Sequence, residues 1–417
     1  MTDLLDTSLL AGPFLLGLYA LTGVVVVVLA LRRLSIRRAL VFLAGVAAAA
    51  VSGWVLVWLL SDVWDVFGVS MSLPTRVWVT ALFAALVLAV TNLIGSTRWR
   101  RTVAVAAIPL ILLCTAAGIN AEFGEYPTLR IALGLPLYGS LDLMQRAPVG
   151  STGGAIGKVT IPASTSGFAA RPAFVYLPAA ALVDRPPILP VVEMLSGQPG
   201  SPSDVFTSDR LAEILDAYAA AHHGLTPIIV VPDQLGAPDR NPMCVDSPLG
   251  NAATYLTVDV PAWIRSHLAV AAAPTGWAIA GFSQGGTCSI QLGAAHPELY
   301  GTIFDISGEI APKSGSPDHT IQIGFDGSAA AYAAAAPTAI LAAHAPYAAL
   351  HIIFAVGADD ARYLAWAHTL ETAARRAGAT TELIVSPGTA HDWHTVIYAW
   401  TRALPVIATT TGLPASP

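Results

Sequence analysis

Four runs near the start of the chain carry no charge at all: residues 7–31, 39–61, 77–97 and 102–121. Each is 20 or more residues long, enough to cross about 30 Å of hydrocarbon as a helix. Polar loops separate them, and four such runs in succession do not fit buried helices of a water-soluble core. A cleaved signal peptide fits poorly as well, because the positive charges follow the first run rather than precede it. Beyond residue 150 the pattern changes to short β-like runs alternating with helical ones. Segments 155–161 and 172–177 read as an opening antiparallel pair, and 188–195 as a central strand. Segment 208–222 reads as an amphipathic helix with Ser208 as N-cap and Asp209 in its first turn. Strands are expected at 227–231, 277–282, 301–306, 350–356 and 382–385. Helices are expected at 258–268, after 283, and at 328–344, 361–377 and 393–403. Strands alternating with helices over this length imply a mostly parallel sheet covered on both faces.

The expected organisation is therefore four transmembrane helices over 1–121, a linker over 122–150, and an α/β domain over 151–417. The apolar piece at 131–143 of the linker either lies on the membrane surface or packs on the domain.

Charge orients the membrane part. Residues 1–121 carry eight Arg and four Asp, a net of +4, whereas the remainder carries 13 Lys+Arg against 23 Asp+Glu, a net of −10. Arg32, Arg33, Arg37 and Arg38 follow the first span, and Arg98, Arg100 and Arg101 follow the third. The other ends hold Asp3, Asp6, Asp62, Asp65 and a single Arg76. The positive-inside rule makes the arginine-rich loops cytoplasmic, so both termini and everything after residue 121 are expected outside the cytoplasmic membrane. Trp54, Trp58, Trp64, Trp78 and Trp99 fall near span ends, as interfacial anchors do. No span interior holds an acidic, basic or histidine side chain, and the thiol there is Cys114, which argues for an anchor and against a transporter. An acidic main domain argues against a nucleic-acid partner. Only two lysines, Lys158 and Lys313, stand against 19 arginines in an Ala- and Gly-rich chain, which points to a GC-rich bacterial source.

The chemistry centres on Gly281-Phe282-Ser283-Gln284-Gly285-Gly286. An apolar strand ends there and a helical pattern follows at once, the context in which G-x-S-x-G forms a nucleophile elbow. A serine hydroxyl needs a base to take its proton, and the base needs a third group to fix its tautomer. On such a sheet these partners follow in the order Ser, Asp or Glu, His, each after the C-terminal end of a strand. His391 lies directly after the last strand, in Gly388-Thr389-Ala390-His391-Asp392-Trp393, and His394 is one turn into the following helix. The competing readings are that both histidines merely flank a helix start, or that His391, Asp392 and His394 ligate a metal. Without a further ligand cluster, no metal and no cofactor are expected. For the acid, Gly357-Ala358-Asp359-Asp360 follows a strand; Asp360 is favoured as the triad member and Asp359 as a helix cap or support. Two backbone donors should hold an oxyanion. One is the N–H of Gln284. The other comes from Ser196-Gly197-Gln198-Pro199-Gly200, with Gln198 preferred over Gly197. Of three cysteines, Cys244 and Cys288 both belong to the main domain, where they form either a disulfide or two separate buried thiols.

These three loops, in order and spacing, resemble the putative-esterase family of α/β-hydrolases, which includes esterase D and the mycobacterial antigen 85 mycolyltransferases. The family usually has His-Gly or Asp-Gly where this chain has Ser196-Gly197, and its antigen 85 members lack four membrane spans. The resemblance implies an α/β-hydrolase fold and acyl-ester chemistry. The expected function is a membrane-anchored extracytoplasmic serine esterase acting on acyl esters of envelope lipids or glycolipids. The alternatives are an acyltransferase moving the chain to a sugar hydroxyl, and a non-catalytic esterase-like binding protein. Segments 234–256 and 308–327 are the expected cleft lining.

Overall fold

A computed structural model describes residues 4–32, 35–146 and 153–413. Asp3, Arg33, the 147–150 end of the expected linker and the expected domain start at 151 lie outside the described residues. The chain divides into two compact units, Met1–Pro136 and Leu137–Pro417.

Among the described residues the first unit has four helices long and apolar enough to cross a membrane: α1 (Pro13–Ala30), α2 (Ile36–Trp58, extended by a wider turn to Val63), α3 (Leu73–Thr91) and α4 (Arg98–Phe123). Their outward faces are large hydrophobics such as Leu16, Val24, Leu43 and Leu113, a surface suited to lipid and not to water. Small residues let helices approach: a Cβ on Gly53 would press on Phe83 at 3.1 Å, and one on Gly118 would run into Trp78. Two of the arginines have a structural role that charge counting does not reveal. Arg32 donates to the carbonyls of Thr91, Ile94 and Gly95 at 2.8–3.1 Å, at the C-terminal end of α3. Arg100 donates to Val28 O at 3.0 Å and Leu29 O at 2.9 Å, at the end of α1. The last carbonyls of a helix lack intrahelical partners and carry partial negative charge, so a guanidinium there satisfies both needs. At the opposite helix ends Arg76 pairs with Asp62 at 2.7 Å.

The second unit is built on eight strands: β1 (Ala155–Val159), β2 (Ala173–Leu177), β3 (Val191–Leu195), β4 (Ile228–Val231), β5 (Trp277–Phe282), β6 (Thr302–Ile306), β7 (His351–Gly357) and β8 (Thr380–Ser386). Their order in the sheet is β1-β2-β4-β3-β5-β6-β7-β8, antiparallel for the β1–β2 and β2–β4 pairs and parallel throughout the rest. Alternate residues of each strand face opposite sides. Val191, Leu195 and Ile279 join one core with Val260, Ile264, Leu292 and Leu370. Val192, Met194 and Ala280 join the other with Leu211, Leu215, Val396 and Trp400. Thus α5 (Leu211–Ala221) and α9 (Trp393–Thr410) cover one face, while α6 (Val260–His267), α7 (Gln284–Ala295) and α8 (Ala361–Arg376) cover the other. This is the mostly parallel, doubly covered sheet that the pattern predicts, in the α/β-hydrolase arrangement that the resemblance implies. Within the expected linker, Tyr138 and Leu141 pack on this unit: Leu141 N donates to Lys158 O at 2.9 Å, and the Tyr138 ring meets Phe174 and Phe206.

Several helix boundaries differ from the pattern. Ser208 is not an N-cap and Asp209 is not in a first helical turn. Both amides bond Asp204 O, closing a short preceding helix (Asp204–Thr207), and α5 starts only after Arg210 turns the chain at φ 57°. The helix expected from 258 is already helical at Ala252 and passes through a widened turn, Tyr255–Asp259, beside Pro261, which lacks the N–H needed for a regular ladder. Pro337 splits the expected 328–344 helix into Ala329–Ala334 and Pro337–Ala343, because the residue before proline is pushed into extended conformation. The final helix continues past Pro405 to Thr410, and a helix at Pro317–Gly324 occupies part of an expected loop.

Candidate active site

β5 delivers Ser283 to the C-terminal edge of the sheet in a conformation of φ 58° and ψ −117°, one that side-chain-bearing residues rarely adopt. The surroundings hold it there: Ser283 N donates to Ile306 O at 2.8 Å, and Thr287 N donates to Ser283 O at 2.9 Å. Glycine is required around the turn. A Cβ on Gly281 would overlap the carbonyl of Gly285, and one on Gly286 would lie 2.6 Å from Asp305 Oδ1 and 2.7 Å from Ile306 O. A Cβ on Gly285 would strike Leu195 O and stand 2.5 Å from Ser196 O, so α7 abuts the loop after β3.

Parallel pairing brings the other two loops to the same edge. Asp360 follows β7 and His391 follows β8. The His391 Nε2 lies 2.8 Å from Ser283 Oγ, and its Nδ1 lies 3.2 Å from Asp360 Oδ2. Residues 108 apart in sequence are thus in hydrogen-bonding contact. The imidazole is flanked by Phe282 at 5.0 Å and Tyr363 at 4.3 Å between ring centres. Asp360 is buried and its second oxygen accepts from Tyr363 N at 3.3 Å. One carboxylate therefore meets the histidine and caps α8 at once. The expected division of labour is corrected here: Asp359 is exposed and does not cap the helix. Asp392 caps α9, accepting from Ala390 N at 2.7 Å and Thr395 N at 2.9 Å.

Gln284 opens α7, where the first N–H groups have no intrahelical acceptor and can face a developing anion. Gln198 stands in the loop after β3, which runs beside β5 with Leu195 opposite Gly281. Glycine at 200 is demanded by that loop's own turn, since a Cβ there would lie 2.6 Å from Gly197 O. At Gly197 a Cβ would make only ordinary 3.4 Å contact with Phe282. Cys244 and Cys288 are bonded, with Cα atoms 5.5 Å apart, tying the loop after β4 to α7.

Two residues around this constellation, Gln234 and Asn241, carry no motif. Gln234 is buried and donates to Gln284 Oε1 at 3.1 Å; Gln284 Nε2 donates to Asn241 Oδ1 at 3.1 Å; and Asn241 Nδ2 donates to Lys313 O at 2.7 Å. Asn241 therefore joins the two segments expected to line the cleft. Beneath the elbow, burial pushes the Asp305 carboxyl up to about 7, against the opposing pull of the Gly308 N–H. The sequence signal for Gln234 and Asn241 is only that both follow the C-terminal end of a strand next to β3.

Residues 169–409 match the family model described as "Putative esterase". The chain belongs to that esterase family. An uncharacterised protein of Corynebacterium glutamicum is 33% identical over 301 residues, spanning 68% of this chain and 70% of its own. Among solved structures, a ferulic acid esterase superposes with a TM-score of 0.52 at 17% identity, covering 63% of this chain and 99% of that one. An S-formylglutathione hydrolase from Agrobacterium tumefaciens superposes with a TM-score of 0.51 at 18% identity, covering 64% and 99%. At these identities the structural likeness is one of fold. This esterase is an α/β hydrolase of the ester-hydrolase or acyltransferase class, preceded by four apolar helices that lie outside the matched residues.

Proposed function

We propose that the protein is a membrane-anchored serine esterase whose Ser283, His391 and Asp360 act as a catalytic triad on the outer side of the cytoplasmic membrane. The observation that carries this reading is the unbroken chain of contacts from Asp360 through His391 to Ser283, at 3.2 and 2.8 Å. Ser283 Oγ attacks the acyl carbonyl while His391 Nε2 takes its proton, and Asp360 holds the imidazole and steadies its positive charge. The N–H groups of Gln284 and Gln198 receive the oxyanion. His391 then gives its proton to the departing alcohol, leaving an acyl-enzyme. An incoming hydroxyl, deprotonated by the same histidine, releases the acyl group as acid if it is water, or as a new ester if it belongs to a sugar.

Four apolar helices support an amphiphilic ester as substrate, an envelope lipid or glycolipid within reach of the bilayer. The arginines at one set of helix ends support the topology, with both termini and the hydrolase unit outside.

The test is turnover of p-nitrophenyl acyl esters by the full-length protein in detergent, beside Ser283→Ala. Turnover by the wild type alone supports the triad and excludes a purely binding role. A silent wild type, or equal turnover by both, refutes it. Adding trehalose or another sugar and looking for acylated sugar separates transfer from hydrolysis. A reporter fused after residue 417 should be active only outside the cytoplasm, and activity inside would overturn the topology.

A further inference from the structure

The loop after β4 contributes nothing to the Asp360–His391–Ser283 chain, yet it grips both segments that carry the oxyanion donors. Gln234 is fully buried, and its amide nitrogen donates to Ser196 O at 2.6 Å and to Gln284 Oε1 at 3.1 Å. The first acceptor lies two residues before the Gln198 N–H. The second is the side chain of the residue whose own N–H is the other donor. One side chain therefore spans the gap between β3 and the nucleophile helix. Its Oε1 has no hydrogen-bond partner among the described residues. Burying an unpartnered amide oxygen is unfavourable, so an apolar residue would serve packing better.

The residue before it anchors the far end of the loop after β3. Asp233, fully buried, accepts from Arg171 Nη2 at 2.7 Å, Arg171 Nε at 3.0 Å and the N–H groups of Leu235 and Gly236 at 3.1 Å. Arg171 Nη2 also donates to Gly200 O at 3.0 Å. Ser196 and Gly200, two residues on either side of Gln198, are thus both fastened to the start of the loop after β4.

We propose that Gln234 is a positioning residue that sets the separation of the two oxyanion donors, with the Asp233–Arg171 pair fixing the other end of the donor loop. The proposal rests on the esterase reading above. Donor spacing matters most once the carbonyl oxygen has become an anion, so the effect falls on kcat and leaves KM nearly unchanged.

The experiment compares full-length wild type, Gln234→Met and Gln234→Asn in detergent, using a p-nitrophenyl acyl ester and an aryl boronic acid. The boronic acid accepts the Ser283 oxygen on boron, with the serine proton passing to His391, and sets a boron-bound oxygen where the oxyanion would sit. Gln234→Met keeps the length and removes both donors; Gln234→Asn keeps the N–H groups on a stem too short to reach both acceptors. For Gln234→Met the expected result is a kcat lower by about 10- to 100-fold, with boronic acid affinity falling in parallel. KM should stay within about threefold, since the substrate carbonyl is held only weakly. Gln234→Asn should fall between Met and wild type. Wild-type kcat in both variants, or a loss confined to KM, overturns the clamp while leaving the esterase reading standing. If Gln234→Met does not fold, Gln234→Asn decides on the same split. A wild type without turnover removes the esterase reading and the clamp with it.

Discussion

Replacing Gly285 with alanine probes the physical join between α7 and the loop after β3. The added methyl would strike Leu195 O and stand 2.5 Å from Ser196 O, both backbone atoms at the end of a central strand. Carbon seldom approaches another heavy atom closer than 3.4 Å, so Ser196 O has to retreat by the difference, about 0.9 Å. It cannot retreat alone, because it also accepts the Gln234 amide at 2.6 Å. Overpacking of this kind costs about 1–3 kcal/mol of stability. The kinetic effect should be larger, since displacing reacting or stabilising groups by about 1 Å lowers rates by about 100-fold. Gly197→Ala is the matched control: its methyl would meet only the Phe282 ring, at 3.4 Å. The assay is kcat on a p-nitrophenyl acyl ester together with thermal melting, for wild type and both variants. Gly285→Ala should lose about 100-fold in kcat with a lowered Tm, and Gly197→Ala should stay within a few-fold of wild type. If Gly285→Ala keeps wild-type kcat, or if both variants lose equally, the close approach of the two segments does not govern the reaction.

Asp360→Asn should lower kcat by about 10⁴-fold, because an amide does not hold the productive tautomer of the imidazole, whereas Asp359→Ala should leave kcat unchanged; a reversed outcome assigns the acid to Asp359. Asp360→Asn should also melt near wild type, since its carbonyl oxygen can still accept from Tyr363 N. Burial raises the Glu193 carboxyl from 4.5 to about 8, with the Tyr300 hydroxyl bonded to it at 2.8 Å. A carboxyl whose folded value is raised contributes stability below its unfolded value and loses it as pH rises through the folded one. Stability should therefore fall between pH 4.5 and about 8, by up to about 1.4 kcal/mol per pH unit from this group, and Glu193→Gln should flatten the slope of Tm against pH. An unchanged slope refutes the assignment. The Cys244–Cys288 bond closes a loop of 44 residues, so reduction or Cys288→Ser should cost about 4 kcal/mol in denaturant unfolding. Free thiols on mass spectrometry of the non-reduced protein would exclude the bond.

What could be read from the sequence, and what could not, divides along one physical line. The long apolar helices, the strands and the loops bearing Ser283, Asp360 and His391 are legible because each depends on local pattern: an uncharged run, an apolar burst, glycines at a turn. Helix starts fail where backbone chemistry competes with pattern, as where Asp204 O captures the amides of Ser208 and Asp209. Arg32 and Arg100 can be counted as cytoplasmic charges, but their use as partners for the carbonyls ending α3 and α1 appears only once the helices are packed. Asp360 reads as either triad acid or cap; in three dimensions its two oxygens face different ways, one towards His391 and one towards the Tyr363 amide, so capping the helix leaves it free to meet the histidine. Gln234 is the hardest case. Its reach to Ser196 exists because β4 lies beside β3 with Ile228 opposite Val191, and its reach to Gln284 because β3 in turn lies beside β5. That order is not the order of the chain, since β4 follows β3 in sequence yet sits between β2 and β3 in the sheet. A side chain whose partners are set by strand order leaves no mark on the pattern around it. Residues with such reach are therefore best sought at the ends of strands that neighbour β3 and β5.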